Sequence, residues 1–230
     1  MIKLENVTKK FGSVVALDGV SLKINPGEFV FLIGPSGAGK TTIARLLLRE
    51  FLPSEGLVEI AGMNLAKIPK VKIPHLRRMV GTVFQDLKIL PDRTVFENVA
   101  LALKILGKKD EEISGEIEEI LELVGLSERA EFFPSQLAGG ELQRVCIARA
   151  VVGKPEIVIA DEPTGNLDIG TARQIVKLLK KINEMGKTVI MATHNFEIVN
   201  SFQERVIELD KGKVISDKKK GKYTLNEGAS

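Results

Sequence analysis

Nine consecutive residues, Gly34, Pro35, Ser36, Gly37, Ala38, Gly39, Lys40, Thr41 and Thr42, stand between the apolar run Phe29–Ile33 and a helix-like stretch over residues 42–51. Glycines at these spacings let the backbone curl until successive N–H groups converge, and a helix that starts there adds its positive end. Lys40 then reaches the β- and γ-phosphates of a nucleotide, and the Thr41 hydroxyl ligates Mg2+. The pattern is a P-loop, and it predicts that the chain binds a nucleoside triphosphate.

A second constellation lies far along the chain. Ile157, Val158, Ile159 and Ala160 precede Asp161 and Glu162, which sets two carboxylates at the C-terminal edge of a strand buried on both faces. Ligands of open α/β sheets gather at that edge. This Walker B pattern gives Asp161 to the magnesium ion, directly or through water, and Glu162 to the attacking water as general base.

These groups need a sheet to hold them. Strand patterns cover residues 2–7, 14–24 with an interruption at Asp18 and Gly19, 29–33, 57–60 after a turn at 53–56, and 80–84 after a short basic segment at 75–79. From there to about residue 150 the period turns helical: Ile113, Ile117, Ile120, Leu121 and Val124 share one face, and glutamates from Glu111 to Glu122 fill the other. A buried strand at 157–160, a helix from about 169 to 185, a buried strand at 188–192 and a hairpin of 205–209 with 213–216 complete the order. Strands alternating with helices at both ends, with helices between, predict an α/β fold: a P-loop NTPase core carrying a helical insertion.

Composition agrees with a folded chain. At 230 residues, 44% hydrophobic and 27% charged, it has enough material for one substantial core with an inserted subdomain. The alternating start at residues 1–5 reads as a strand and not a signal peptide. No apolar run approaches the ~18 residues of a membrane span, so the expected place is the cytoplasm, with any membrane contact made through a partner. Cys146 sits among Val145, Ile147 and Ala148 and is expected to be a buried structural thiol. A net charge of +3 gives no reason to expect nucleic acid. Lys218, Lys219, Lys220 and Lys222 cluster in a C-terminal tail, residues 218–230, read as solvated, with contact to an anionic membrane face as the alternative.

Two further segments narrow the class. Leu137, Ala138, Gly139, Gly140, Glu141, Leu142, Gln143 and Arg144 precede a helix, and Pro163, Thr164, Gly165, Asn166, Leu167 and Asp168 extend the Walker B strand. Together they resemble the nucleotide-binding subunits of ABC transporters, from Met1 to about Asp217. The resemblance implies an ABC-type ATPase core with an N-terminal antiparallel β subdomain and an inserted helical subdomain. Residues 1–85 and 151–217 would form the ATP-binding part and residues 86–150 the helical part. It implies Gln85 as the Q-loop residue near Mg2+, His194 as the switch histidine, Asp168 as the D-loop aspartate and Phe11 as the aromatic that stacks on adenine. Taken singly, Phe11 suits a core position, Gln85 a surface amide and His194 a hydrogen-bonded core histidine; their order and spacing after a P-loop favour the family's roles.

The resemblance further implies ATP with Mg2+, hydrolysed with the help of Glu162, His194 and Gln85, in a head-to-tail homodimer. Leu137, Ala138, Gly139, Gly140 and Glu141 of one copy would close over the nucleotide of the other. One departure stands out: the family usually has serine where this chain has Ala138, and that hydroxyl normally donates to the γ-phosphate across the dimer. Its absence predicts weaker ATP-driven dimerisation and slower turnover.

Within the family, the wording of residues 83–99 and of Met191, Ala192, Thr193, His194 and Asn195 is similar to that of the cell-division ATPases. The ATPases of lipoprotein-releasing and macrolide-export systems share Gly165, Asn166, Leu167 and Asp168 and are the alternative. A slowly hydrolysing nucleotide switch, which Ala138 favours and Glu162 opposes, is a third reading. Leu90, Asp92 and Arg93 lie just past Gln85, where a coupling helix of an FtsX-like integral membrane protein would dock on the inner face of the cell membrane. Turnover would then send a signal to cell-wall hydrolases.

Overall fold

The computed structural model describes residues 1–220, so the expectation for Lys222 and the rest of the tail lies outside the described residues. Its elements are β1 (Ile2–Phe11), β2 (Val14–Ile24), β3 (Phe29–Ile33), α1 (Lys40–Leu47), β4 (Glu55–Ile60), β5 (Met63–Asn64), α2 (Ile73–Arg78), β6 (Val80–Val83), α3 (Val95–Ile105) and α4 (Asp110–Val124). They continue with α5 (Gly139–Val151), β7 (Ile157–Asp161), α6 (Ile169–Glu184), β8 (Thr188–Thr193), α7 (Phe196–Phe202), β9 (Arg205–Asp210) and β10 (Lys213–Lys218).

Two sheets result. The first is antiparallel, in the order β2-β1-β4-β5; the second runs β10-β9-β3-β8-β7-β6, parallel from β9 to β6 with β10 antiparallel at one edge. Strands β3, β7 and β8 are buried at every position, as continuous apolar runs in a covered parallel sheet must be. Their two-residue period then divides the core. Phe29, Phe31, Ile33, Val158, Ala160, Val189 and Met191 face the layer built from α3, α4, α5 and α6. Val30, Leu32, Ile157, Ile159, Ile190 and Ala192 face α1 and the antiparallel sheet. The mixed sheet is therefore the middle of three layers, and its strand ends are the place where both layers can deliver residues.

Besides the longer β1 and β4, which run over Ile2–Phe11 and Glu55–Ile60, four details differ from the sequence reading. Strand β2 is not interrupted at Asp18 and Gly19; the Gly19 N–H bonds the Thr8 hydroxyl at 3.1 Å, and register shifts against β1 absorb the turn-forming pair as irregularities of the ladder. Helix α1 covers Lys40–Leu47 and not residues 42–51, because Arg49 turns to φ 55° and ends it. Lys218 belongs to β10, paired with Val206, and not to a solvated tail. Helix α7 follows Asn195, whose side chain accepts from the Ile198 N–H at 3.1 Å as an N-cap; this Asn signal was readable and was not used. Cys146 is buried as expected, and burial pushes its thiol up to about 11.

Candidate active site

The P-loop residues form the turn from β3 into α1. Gly39 stands at the N-cap position with φ 107°, and a Cβ there would lie 2.6 Å from Leu17 Cδ2 and 2.8 Å from the Ala16 carbonyl oxygen. The loop is thus pressed against β2 so closely that only glycine fits, which fixes the start of α1 at Lys40. Lys40 is buried; its ammonium donates to the Gly34 carbonyl at 2.7 Å and the Pro35 carbonyl at 3.1 Å and lies 3.8 Å from Glu162 Oε1. Burial pushes the Lys40 ammonium down, and Glu162 and Asp161 beside it oppose that shift.

Three neighbouring strand ends bring the other groups. Strand β7 ends at Asp161, with Glu162 next in the chain; β8 leads into His194, and β6 leads into Gln85. Glu162 takes φ 49°, a left-handed conformation that costs a non-glycine residue on the order of 1 kcal/mol or more and clusters at functional sites. His194 Nδ1 and Glu162 Oε1 are 2.9 Å apart, with the histidine side chain 65% exposed and the glutamate 12%. His194 is therefore no core histidine. Residues 35–42, Gln85, Glu162 and His194 line one cavity of about 490 Å³.

Two carboxylates at the end of β7 are short of partners. Asp161 Oδ1 and Glu162 Oε2 are buried with no hydrogen-bond partner among the described residues. Burial pushes the Asp161 carboxyl up; a hydrogen bond with the Thr41 side chain opposes this, and the charge of Glu162 adds to it. An orphaned carboxylate oxygen beside a threonine hydroxyl is an oxygen donor set that suits a hard divalent cation. Across the same cavity, the loop amides, the start of α1 and Lys40 suit an anion of several charges.

The remaining predicted residues lie elsewhere. Phe11 is exposed at the end of β1, its ring 5.1 Å edge-on from Phe51 with the Lys9 ammonium 4.8 Å from its centroid; it does not line the cavity. Leu137, Ala138, Gly139, Gly140 and Glu141 form the start of α5, with Ala138 as an N-cap that offers no side-chain oxygen. Glu141 reaches back instead and accepts from the Ala138 N–H at 2.9 Å, while Arg129 donates to its other oxygen at 3.2 Å. Asp168 caps α6, accepting from the Thr171 N–H at 3.0 Å.

Leu90, Asp92 and Arg93 are exposed on the segment before α3. That segment depends on a residue the sequence reading passed over. Asn98 is fully buried; its Oδ1 accepts from the Leu90 N–H at 2.9 Å and its Nδ2 donates to the carbonyls of Leu90, Arg93 and Thr94 at 2.9–3.1 Å. Thr94 and Glu97 at capping-box spacing marked the start of this helix, and an asparagine on its apolar face was the available signal. Beside it, an apolar groove of about 550 Å³ runs between α2, β6, α3 and α5, with Phe84, Leu101 and Ile105 exposed along it; Leu90, Asp92 and Arg93 do not line it.

With the geometry in place, comparison with known proteins decides the family. The family described as ABC transporter matches residues 17–165. The chain belongs to the ABC transporter family. This ABC ATPase is 48% identical over 228 residues to the cell division ATP-binding protein FtsE of Streptococcus pneumoniae, covering 99% of each chain. It is 49% identical over 224 residues to the protein of the same name from Bacillus subtilis, covering 97% of this chain and 98% of that one. Its fold is similar to that of the ATP-binding cassette MJ0796, solved as a dimer in a post-hydrolysis state bound to ADP and Pi. The TM-score is 0.86 at 39% identity, covering 97% of this chain and all of that one. The chain is an ATPase with the α/β cassette fold read from its sequence. Among the described residues no helix is long and apolar enough to cross a membrane.

Proposed function

We propose that this ABC ATPase powers a membrane complex of the cell-division type, binding and hydrolysing Mg2+-ATP between two copies of itself. The observation that carries the catalytic part is the Glu162–His194 pair, 2.9 Å apart at the mouth of the P-loop cavity beside the orphaned Asp161 oxygen. Gly34, Pro35, Ser36, Gly37, Ala38, Gly39, Lys40, Thr41 and Thr42 hold the phosphates, and Phe11 offers the adenine an exposed ring. Asp161, Thr41 and Gln85 are the residues that would hold Mg2+, which supplies neutralisation of phosphate charge when bound. Glu162 takes the proton of the attacking water, and His194 positions that water while its ring is held by Glu162. Residues 137–141 and Asp168 serve the partner copy's nucleotide. In that arrangement residues 1–85 with 151–217 act as the ATP-binding part and residues 86–150 as the helical part.

The names of relatives aligned over nearly the whole chain support the cell-division role. Its partner is then an FtsX-like integral membrane protein, which holds the ATPase at the inner face of the membrane. The apolar groove beside Gln85 suits an amphipathic helix of that partner, with Leu90, Asp92 and Arg93 beyond it supplying charge selection. Ala138 favours a second reading, a switch that closes on ATP and hydrolyses slowly.

Detergent co-purification from native membranes, with the partner identified by mass spectrometry, tests the role. A partner whose extracytoplasmic domain binds a wall hydrolase or its activator is the expected result. A partner bound to a lipoprotein or efflux component moves the chain to the export branch. Substituting Asp92 and Arg93 should lose recruitment with nucleotide binding intact; unchanged recruitment removes them from the docking surface.

A further inference from the structure

Past Gln85 the chain has no regular structure until α3, and Lys88 turns to φ 51°. The carbonyls exposed by that irregularity are held from outside the segment. Arg149 Nη2 donates to the Leu87 carbonyl at 2.7 Å and Nη1 to the Lys88 carbonyl at 2.6 Å. The Cys146 thiol adds a third contact, donating to the Leu87 carbonyl at 3.1 Å. Both donors stand three positions apart on α5, hence on one face. The same helix begins at Gly139, within residues 137–141 (here the signature segment), and Gln85, two residues before Leu87, lines the phosphate cavity.

A guanidinium that bridges consecutive carbonyls fixes the direction of both peptide planes, which a lysine, a single point of charge on a flexible stem, does not. An α-helix is stiff over the roughly 15 Å from Gly139 to Arg149. We infer that Arg149 is a positioning residue for ATP hydrolysis: its grip on Leu87 and Lys88 holds Gln85 in register with α5, so that Gln85 and the signature segment move as one body. The inference rests on the reading of residues 35–42, Gln85, Asp161 and Glu162 as the ATP site.

The test uses the full chain carrying Cys146→Ser, whose hydroxyl can still donate to Leu87, and Asp86→Cys with a spin label. In this background Arg149→Gln should sharpen the label's spectrum and lower kcat by about ten- to a hundred-fold, the scale of a 1 Å misplacement. Affinity for a fluorescent ATP analogue, set by the P-loop, should change by less than about twofold, and Arg149→Lys should fall between. Adding Arg149→Gln to Gln85→Ala should cost little beyond Gln85→Ala alone, since both act through one side chain. The inference is overturned if the folded Arg149 variants keep both label mobility and kcat, or if the two losses simply add, which marks a role in fold stability alone. Full activity of Gln85→Ala overturns the assignment of Gln85 to the site, and with it the inference, while the spectra report separately on the grip of Arg149.

Discussion

Around Glu162, the ends of β3, β6, β7 and β8 converge within one chain, whereas the start of α5 lies against Leu167 and Thr171, on either side of Asp168 in the chain, and neither it nor Asp168 lines that cavity. The contrast extends to the glycines of the signature segment. A Cβ on Gly140 would lie 2.5 Å from Thr171 Cγ2, so this glycine is required by packing inside the chain. A Cβ on Gly139 would meet Leu167 Cδ2 at 3.6 Å, an ordinary contact, so its own chain does not require Gly139 to be glycine. On the proposed reading the first region holds the phosphates, and the second is a helix start whose first N–H groups have no acceptor within the helix. In the proposed head-to-tail dimer, the second region of one copy would meet the first region of the other.

The largest effects fall on the first region. Lys40→Ala should abolish productive ATP binding, read by fluorescence titration, because the loop then faces the phosphates with no side-chain cation; retained binding would break the assignment of the cavity. Glu162→Gln should leave binding in place and slow hydrolysis by roughly 10²–10⁴-fold, measured as steady-state phosphate release. A normal rate would assign the base to another group.

The second region is tested by Ala138→Ser. Serine at this N-cap should stabilise α5 by roughly 0.5–2 kcal/mol without nucleotide, seen in thermal melting. If α5 also covers a partner's ATP, the ATPase rate at fixed protein concentration should rise about tenfold from the regained charge-assisted bond. A rise in melting temperature with no rise in rate would leave the hydroxyl a cap only, dispensable for turnover.

The smallest effect concerns Glu141. The Ala138 N–H holds its carboxyl below the usual 4.5; loss of solvent opposes this, and Arg129 adds to the lowering. A lowered carboxyl contributes stability that is present above pH 4.5 and lost as pH falls through its lower value in the fold. Amide exchange at Ala138, whose N–H bonds the Glu141 carboxylate, and at Leu142 should therefore lose protection below that pH while the P-loop amides keep theirs. Equal loss in both would show that acid acts on the whole fold.

Much of this was legible without coordinates. The P-loop and Walker B groups announce themselves because their chemistry needs residues adjacent in the chain, and β3, β7 and β8 because a doubly covered strand must be apolar throughout. Phe11 was less legible: the reading of residues 2–7 as the first strand stopped short of it, and whether its ring stood in the core or at the surface depended on Phe51 and Lys9. Asn98 was missed because a buried amide on an apolar face is meaningful only when the carbonyls it meets are known. The tail was placed one residue early because Lys218 looks like its basic neighbours, although its backbone pairs with Val206.

By itself, then, the amino-acid order determined the class of fold, the order of its main strands, and the P-loop and Walker B patterns, since period and short spacing carry that information. Only the tertiary structure decided that Glu162 meets His194 and Lys40, that a Cβ on Gly140 would crowd Thr171 while one on Gly139 would make only an ordinary contact, and that Arg149 grips Leu87 and Lys88. These pairs stand some 30 to more than a hundred positions apart, and no local period links them. They are set by how the helical layer seats on the mixed sheet, where burial of apolar faces chooses the neighbours and polar groups then take whatever partners that packing leaves within reach.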